Sequence, residues 1–231
     1  MPSPAAAPVP GYAVKFETVH GCGADLQVRS LLDRQQFDDP LGEAEDEGIS
    51  SATWPLFGLL WPSGQVLAGA MQVFEHDGRR ILEVGCGLAL ASLVLHRRGA
   101  DVTASDCHPL TGPFLVENLR LNAMESMKYS RGNWSQDDGR LGLFDVIIGS
   151  DLLYDRDQPQ ALSQFIDRHA EAQVEVIIVD PDRGNQPSFK RKMGVLGYAH
   201  GETRIHALPG GDLYKGRVHR YNRSARPLLD A

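Results

Sequence analysis

The 231 residues contain only three cysteines, Cys22, Cys86 and Cys107, and no CxxC pair. An odd, widely spaced set of thiols offers neither a disulfide framework nor a cysteine zinc site, so reduced cysteines are expected. The eight histidines are scattered, with no H-E-x-x-H and no close Cys/His pair, and their spacing predicts no metal site. Long apolar runs are missing too: none approaches the roughly 20 residues that span a bilayer. The opening Met-Pro-Ser-Pro-Ala-Ala-Ala-Pro-Val-Pro has neither the basic flank nor the apolar stretch of a signal peptide, so a cytoplasmic protein without membrane contact is expected. Positive charge is short, and a formal charge of −7 argues against a nucleic-acid footprint, which Lys and Arg contacts to phosphate dominate. No G-x-S-x-G elbow supports a serine hydrolase.

What is present is ordinary in bulk, with 42% hydrophobic and 23% charged residues, as in a folded globular chain. The charge is uneven. Asp38, Asp39, Glu43, Glu45, Asp46 and Glu47 form a run without a base, read either as a solvated loop or as a patch that steers a basic ligand. Residues 1–10 predict an unstructured Pro/Ala tail. Val14 to Val19 and Asp25 to Arg29 alternate around Gly21-Cys22-Gly23, which predicts a β-hairpin. A helix is expected from Ser63 to Phe74, with Ser63 as its N-cap. From Arg80 onward short apolar strands alternate with helical segments, which predicts a mostly parallel sheet covered on both faces. Five strands are expected, at 81–84, 101–105, 127–132, 144–149 and 174–179. Segments 200–207 and 214–221 then alternate around Pro209-Gly210-Gly211 and predict a closing antiparallel hairpin.

The chemistry concentrates at the first of these strands. Glu83-Val84-Gly85-Cys86-Gly87-Leu88-Ala89 lies at a strand-to-helix turn, where glycines admit a ligand close to the backbone and the helix N-terminus offers free N–H groups. Asp106 ends the next strand, where an acid accepts hydrogen bonds from ribose hydroxyls. The dinucleotide fingerprint G-x-G-x-x-G requires glycine at position 90, and Leu90 stands there, which disfavours a pyrophosphate ligand. An acid two residues before the first glycine suits a ligand with a cationic amino-acid end.

The run resembles motif I of class I methyltransferases, E/D-x-G-x-G-x-G, with Ala89 in place of the last glycine. Three further segments are similar to those of the protein-lysine methyltransferases and their nicotinamide N-methyltransferase-like relatives (methyltransferase family 16). They are Trp61-Pro62-Ser63-Gly64-Gln65-Val66-Leu67-Ala68, Asn133-Trp134, and Ser150-Asp151-Leu152-Leu153-Tyr154. The resemblance covers roughly residues 54–182. It implies an α/β fold: a single Rossmann-like seven-stranded domain over 11–231, with hairpin and acidic loop over 11–60, the core over 61–231, and a C-terminal antiparallel hairpin. It also implies S-adenosylmethionine as cofactor and S-adenosylhomocysteine as product. Trp61, Glu83, Gly85, Gly87, Asp106, Asn133, Trp134 and Ser150 are then the cofactor-binding candidates, with Trp134 beside the adenine and Asn133 near its hydrogen-bonding edge. Asp151 and Tyr154 match the D/E-x-x-Y/F motif placed beside the acceptor, and are the catalytic candidates. Core packing of the tryptophans and an N-cap role for Asp151 remain as alternatives. Asp180-Pro181-Asp182-Arg183 resembles the Asp-Pro-Gly-Arg of the branch acting on the β-subunit of electron-transfer flavoprotein, with Asp182 for glycine. A turn with Arg183 simply exposed reads equally well.

Methyl transfer from a sulfonium is a direct displacement that needs alignment and exclusion of water, not a metal or a covalent intermediate. The expected activity is N-methylation of a protein lysine by a monomeric enzyme. Small-molecule N-methylation on the same fold is the nearest rival, because fold and cofactor site do not fix the acceptor. A nonenzymatic cofactor-binding scaffold and an NAD-dependent oxidoreductase are the more distant ones.

Overall fold

Alternation at period two along the core strands fixes the architecture. In a computed structural model that describes residues 11–135 and 141–224, an antiparallel pair β1 (Val14–Val19) and β2 (Leu26–Leu31) forms a separate two-stranded sheet. The tail expected at residues 1–10 lies outside the described residues. A short helix α1 (Glu43–Asp46) and a 3-10 turn (Trp54–Gly58) lead into α2 (Pro62–Gln72). The chain then alternates through β3 (Arg80–Val84), α3 (Leu90–Arg97), β4 (Asp101–Asp106), α4 (Thr111–Leu121) and β5 (Lys128–Arg131). It continues through β6 (Phe144–Ser150), α5 (Gln158–His169), β7 (Ala170–Asp180) and α6 (Gln186–Val195), and closes with the hairpin β8 (Ala199–Ala207) and β9 (Leu213–Arg223).

Seven strands join in the order β5-β4-β3-β6-β7-β9-β8, five of them parallel, with β9 antiparallel to both β7 and β8. Ile81, Val146, Ile148, Ile177 and Val179 point into one core, shared with α2, α3 and β2. Their strand neighbours Leu82, Val84, Ile147, Val176 and Ile178 point into the other, under α5 and α6. Burial on both faces is why these strands read as unbroken apolar runs. Each such side chain, fully removed from water, contributes about 1.5–3 kcal/mol.

Two expectations are corrected. The second hairpin strand runs from Leu26 to Leu31, not from Asp25 to Arg29. Ser63 is not the N-cap of α2, which starts one residue earlier at Pro62, with extended Trp61 as the cap. Proline suits the first helical position because its missing N–H would have had no intrahelical partner there. Ser63 is instead buried, its hydroxyl 2.9 Å from the Tyr214 hydroxyl, so it ties α2 to β9.

Chain order reverses between β3 and β6: β4 and β5 build outward on one side, β6 and β7 on the other. A crevice opens at the carboxyl ends of the strands at such a switch point, where open α/β sheets gather their ligands.

Candidate functional site

A cavity of about 860 Å³ occupies that crevice, within the roughly 300–1,000 Å³ range of small-molecule sites. All ten sequence candidates line it. Trp61, Glu83, Gly85, Gly87 and Asp106 do so from α2 and the β3 and β4 ends. Asn133, Trp134, Ser150, Asp151 and Tyr154 do so from beyond β5 and the end of β6.

The glycine turn is built by local necessity. Gly85 and Gly87 have φ of 57° and 50°, the left-handed region. A Cβ on Gly85 would lie 2.6 Å from Leu152 Cδ2 and 3.3 Å from Trp134 Cζ2, and one on Gly87 2.8 Å from the Phe57 carbonyl oxygen. Both conformation and space therefore demand glycine. Leu90, 5% exposed, stands in the place of the third fingerprint glycine, where the dinucleotide fold needs close packing of helix on strand, and it lines the cavity.

Ala89, where the methyltransferase motif has its last glycine, keeps the left-handed backbone, with φ of 57°. Asp182, where the Asp-Pro-Gly-Arg pattern has glycine, does the same at 62°. Both departures thus retain the turn shape at a steric cost. Ala89→Gly should relieve roughly 1–2 kcal/mol of left-handed strain against roughly 0.4–1 kcal/mol of added unfolded-state freedom. The expected net gain is about 0.5–1 kcal/mol. Urea unfolding of the two proteins measures it, and a destabilised glycine variant would show that Ala89 packing outweighs the strain.

The two acids hold the turn together. Glu83 Oε2 accepts hydrogen bonds from the Ser92 backbone N–H (2.8 Å) and the Ser92 hydroxyl, which closes the start of α3. Oε1 is the oxygen left for a ligand. Burial pushes the Glu83 carboxyl up to about 7 against the pull of the Ser92 bonds, so a cationic group nearby would favour its ionised form. Asp106 Oδ2 accepts from the Gly87 N–H and Oδ1 from the His108 N–H, each at 2.9 Å. Burial raises its pKa while these bonds lower it. Each oxygen retains a second lone pair for a hydroxyl.

The aromatic candidates differ in their ties. The Trp61 indole N–H donates to the Leu56 carbonyl at 2.8 Å, and the Arg34 guanidinium lies 4.8 Å above its ring. Trp134 is half-buried with its ring against Gly85. Asn133 lines the cavity, yet its amide N–H donates to Glu47 Oε2 and its oxygen accepts from the Ser135 N–H, both at 3.0 Å. Glu47 also pairs with Arg131 at 3.3 Å. The acidic run is therefore not uniformly solvated: Asp39 accepts from the Ala44 and Glu45 N–H groups at the start of α1, and Glu47 lines the cavity.

Asp151 follows β6 in the left-handed region, φ 57°, with its N–H bonded to the Val179 carbonyl at 2.9 Å. A non-glycine residue held there carries strain of the kind that collects at functional sites. Its carboxylate is ion-paired with the Arg183 guanidinium. Arg183 is placed by the turn after β7, where its own N–H donates to Asp180 Oδ1 at 2.6 Å. Arg183 is therefore not simply exposed on a turn: it lines the cavity and is paired with Asp151, a partner the sequence did not indicate. Tyr154 stands at the mouth, 46% exposed.

Sequence reasoning missed Arg34 and His108, and singled out Glu47 only as one member of the acidic run. Arg34 carried no signal, because it follows a hairpin far from the glycine turn. His108 stacks on Phe57 with ring centroids 3.7 Å apart, and burial pushes its pKa down to about 3, so it faces the cavity as a neutral ring.

Comparison with known proteins agrees with this geometry. A family model described as lysine methyltransferase matches residues 43–192, more than half of the chain. The electron transfer flavoprotein beta subunit lysine methyltransferase of Xenopus laevis is 29% identical over 136 residues, covering 56% of this chain and 53% of that protein. The calmodulin-lysine N-methyltransferase of Arabidopsis thaliana is 28% identical, covering 54% and 45% respectively. The chain thus spans about half the length of these curated relatives. Among solved structures, a methyltransferase from Pyrococcus furiosus superposes with a TM-score of 0.56 at 18% identity over 67% of this chain and 79% of that one, a likeness of fold. With the seven-stranded sheet, the glycine turn and its two acids in place, the chain belongs to the lysine methyltransferase family of class I, S-adenosylmethionine-dependent methyltransferases.

Proposed function

We propose that this chain transfers a methyl group from S-adenosylmethionine to an amine, and that the acceptor is a lysine side chain of a protein. The observation that carries the reading is one cavity that the glycine turn and its two buried acids line together with the Asp151–Arg183 ion pair and Tyr154. When bound, the cofactor supplies an electrophilic methyl carbon on a sulfonium. The residues fit its parts: Glu83 Oε1 would be free to meet the cationic amino-acid portion, Asp106 would accept from the ribose hydroxyls, and Trp134 would offer a flat face to the adenine. The family description and the two curated relatives, named for lysine acceptors, support lysine as the acceptor.

A lysine must lose its proton before its nitrogen can attack, and the Asp151–Arg183 pair bears on that step. A lone carboxylate would stabilise the ammonium and hold the amine unreactive. Arg183 partly neutralises Asp151 and fixes its position, so the carboxylate orients the amine without overstabilising the protonated form. Arg183→Gln removes the cation, raises the bound acceptor's pKa and should move the rising limb of the kcat profile to higher pH by roughly one unit. An unshifted profile would reduce Arg183 to a strut for the turn.

Labelled cofactor mixed with proteome extract and, separately, with metabolite extract tests the whole reading. Label on lysine in protein, located by mass spectrometry, is the expected result. Label confined to small molecules would move the acceptor to that class.

A further inference from the structure

The β8–β9 hairpin assembles three groups that the sequence scatters. His200 and Glu202 are two apart on β8 and share a face, and Glu202 pairs in register with His219 on β9, which brings the second imidazole onto that face. His200 Nε2 lies 3.1 Å from His219 Nδ1, while Glu202 Oε2 lies 3.8 Å from the former and 3.7 Å from the latter. A point equidistant from all three atoms is about 2.1 Å from each, inside the roughly 2.0–2.2 Å at which zinc binds imidazole nitrogen and carboxylate oxygen. We propose that His200, Glu202 and His219 bind one divalent transition-metal ion of the zinc type, at a site separate from the cofactor cavity.

The surroundings suit such an ion. His219 is 1% exposed, and burial pushes its pKa down to about 4, so the ring is in the neutral form that ligates metal. The pKa of His200 is lowered as well, by burial and then by Lys190. Gln186, at the start of α6, has its amide nitrogen 3.1 Å from His219 Nδ1. Turning that amide over would place an oxygen, a further donor for an ion, beside His219 Nδ1. Arg217 Nη1 lies 3.5 Å from Glu202 Oε1, which leaves Oε2 facing the two rings, as an outer-shell partner commonly orients a ligating carboxylate. Arg217 and Lys190 are cations that oppose the ion, whereas Glu202 and Asp182, 3.5 Å from Arg217 Nε, offset them. The chain of contacts from Glu202 through Arg217 to Asp182 ends beside Arg183. The ion would therefore brace both the hairpin and the turn that holds Asp151.

The test uses the untagged full chain, stripped with a chelator and titrated with Zn²⁺ by calorimetry and with Co²⁺ by visible absorption. One ion per chain, the intense visible bands of a tetrahedral Co²⁺ centre, and a higher Tm with Zn²⁺ are expected. His200→Gln and Glu202→Gln, at positions that are not fully buried, should each weaken binding about tenfold or more, while His206→Gln, exposed on the same strand, should leave it unchanged. Absence of one-to-one binding by the unmodified chain, or an equal loss in the His206→Gln variant, overturns the site. Neither result depends on methyl transfer.

Discussion

Asp151→Asn should lower single-turnover methyl transfer by roughly tenfold or more, one decade for each 1.36 kcal/mol of barrier, while S-adenosylmethionine affinity changes much less. The substitution preserves shape and removes the charge that favours ammonium developing on the acceptor nitrogen. It also leaves the Arg183 guanidinium without its partner, 34% exposed and beside the acceptor. The single variant therefore mixes two effects, the loss of an orienting anion and the gain of an unopposed cation. Asp151→Asn combined with Arg183→Gln separates them. If the double variant recovers part of the activity, the cation was the larger hindrance, and if it is no better, orientation by Asp151 dominates. Equal loss of cofactor binding and catalysis would make Asp151 a cofactor ligand, and no loss of either would leave it only a partner for Arg183. Tyr154→Phe should cost less than Tyr154→Ala, since the family motif accepts either ring.

Asp106→Ala is the second large effect, an expected weakening of cofactor binding by about 1–3 kcal/mol, the scale for leaving buried polar partners unpaired. Here the partners are both foreign and internal. The variant loses the acceptor for ribose hydroxyls and also strands the Gly87 and His108 N–H groups that Asp106 now satisfies. Calorimetric titration with S-adenosylmethionine should therefore show a raised Kd together with a lowered Tm for the ligand-free protein. A lower Tm with unchanged Kd would confine Asp106 to the turn and remove it from the ligand site. NAD should bind to neither protein, because Leu90 stands in the place of the third fingerprint glycine.

The sequence by itself determined the sheet and the turn. Strand alternation, the Gly85–Gly87 spacing and Asp106 at the end of its strand are local patterns, and local patterns follow from backbone geometry that each residue type either tolerates or refuses. Even the departures at Ala89 and Asp182 were visible as missing glycines, although only φ revealed that the left-handed turn survives them. Tertiary structure alone decided the pairings between distant segments. Arg183 meets Asp151 because β6 and β7 are hydrogen-bonded neighbours ending at the same edge, and Glu47 reaches Asn133 because the acidic segment folds back over the end of β5. The hairpin register sets Glu202 opposite His219 in the same way. A charged side chain carries no local signature of its partner, since the attraction depends on distance through space and not along the chain.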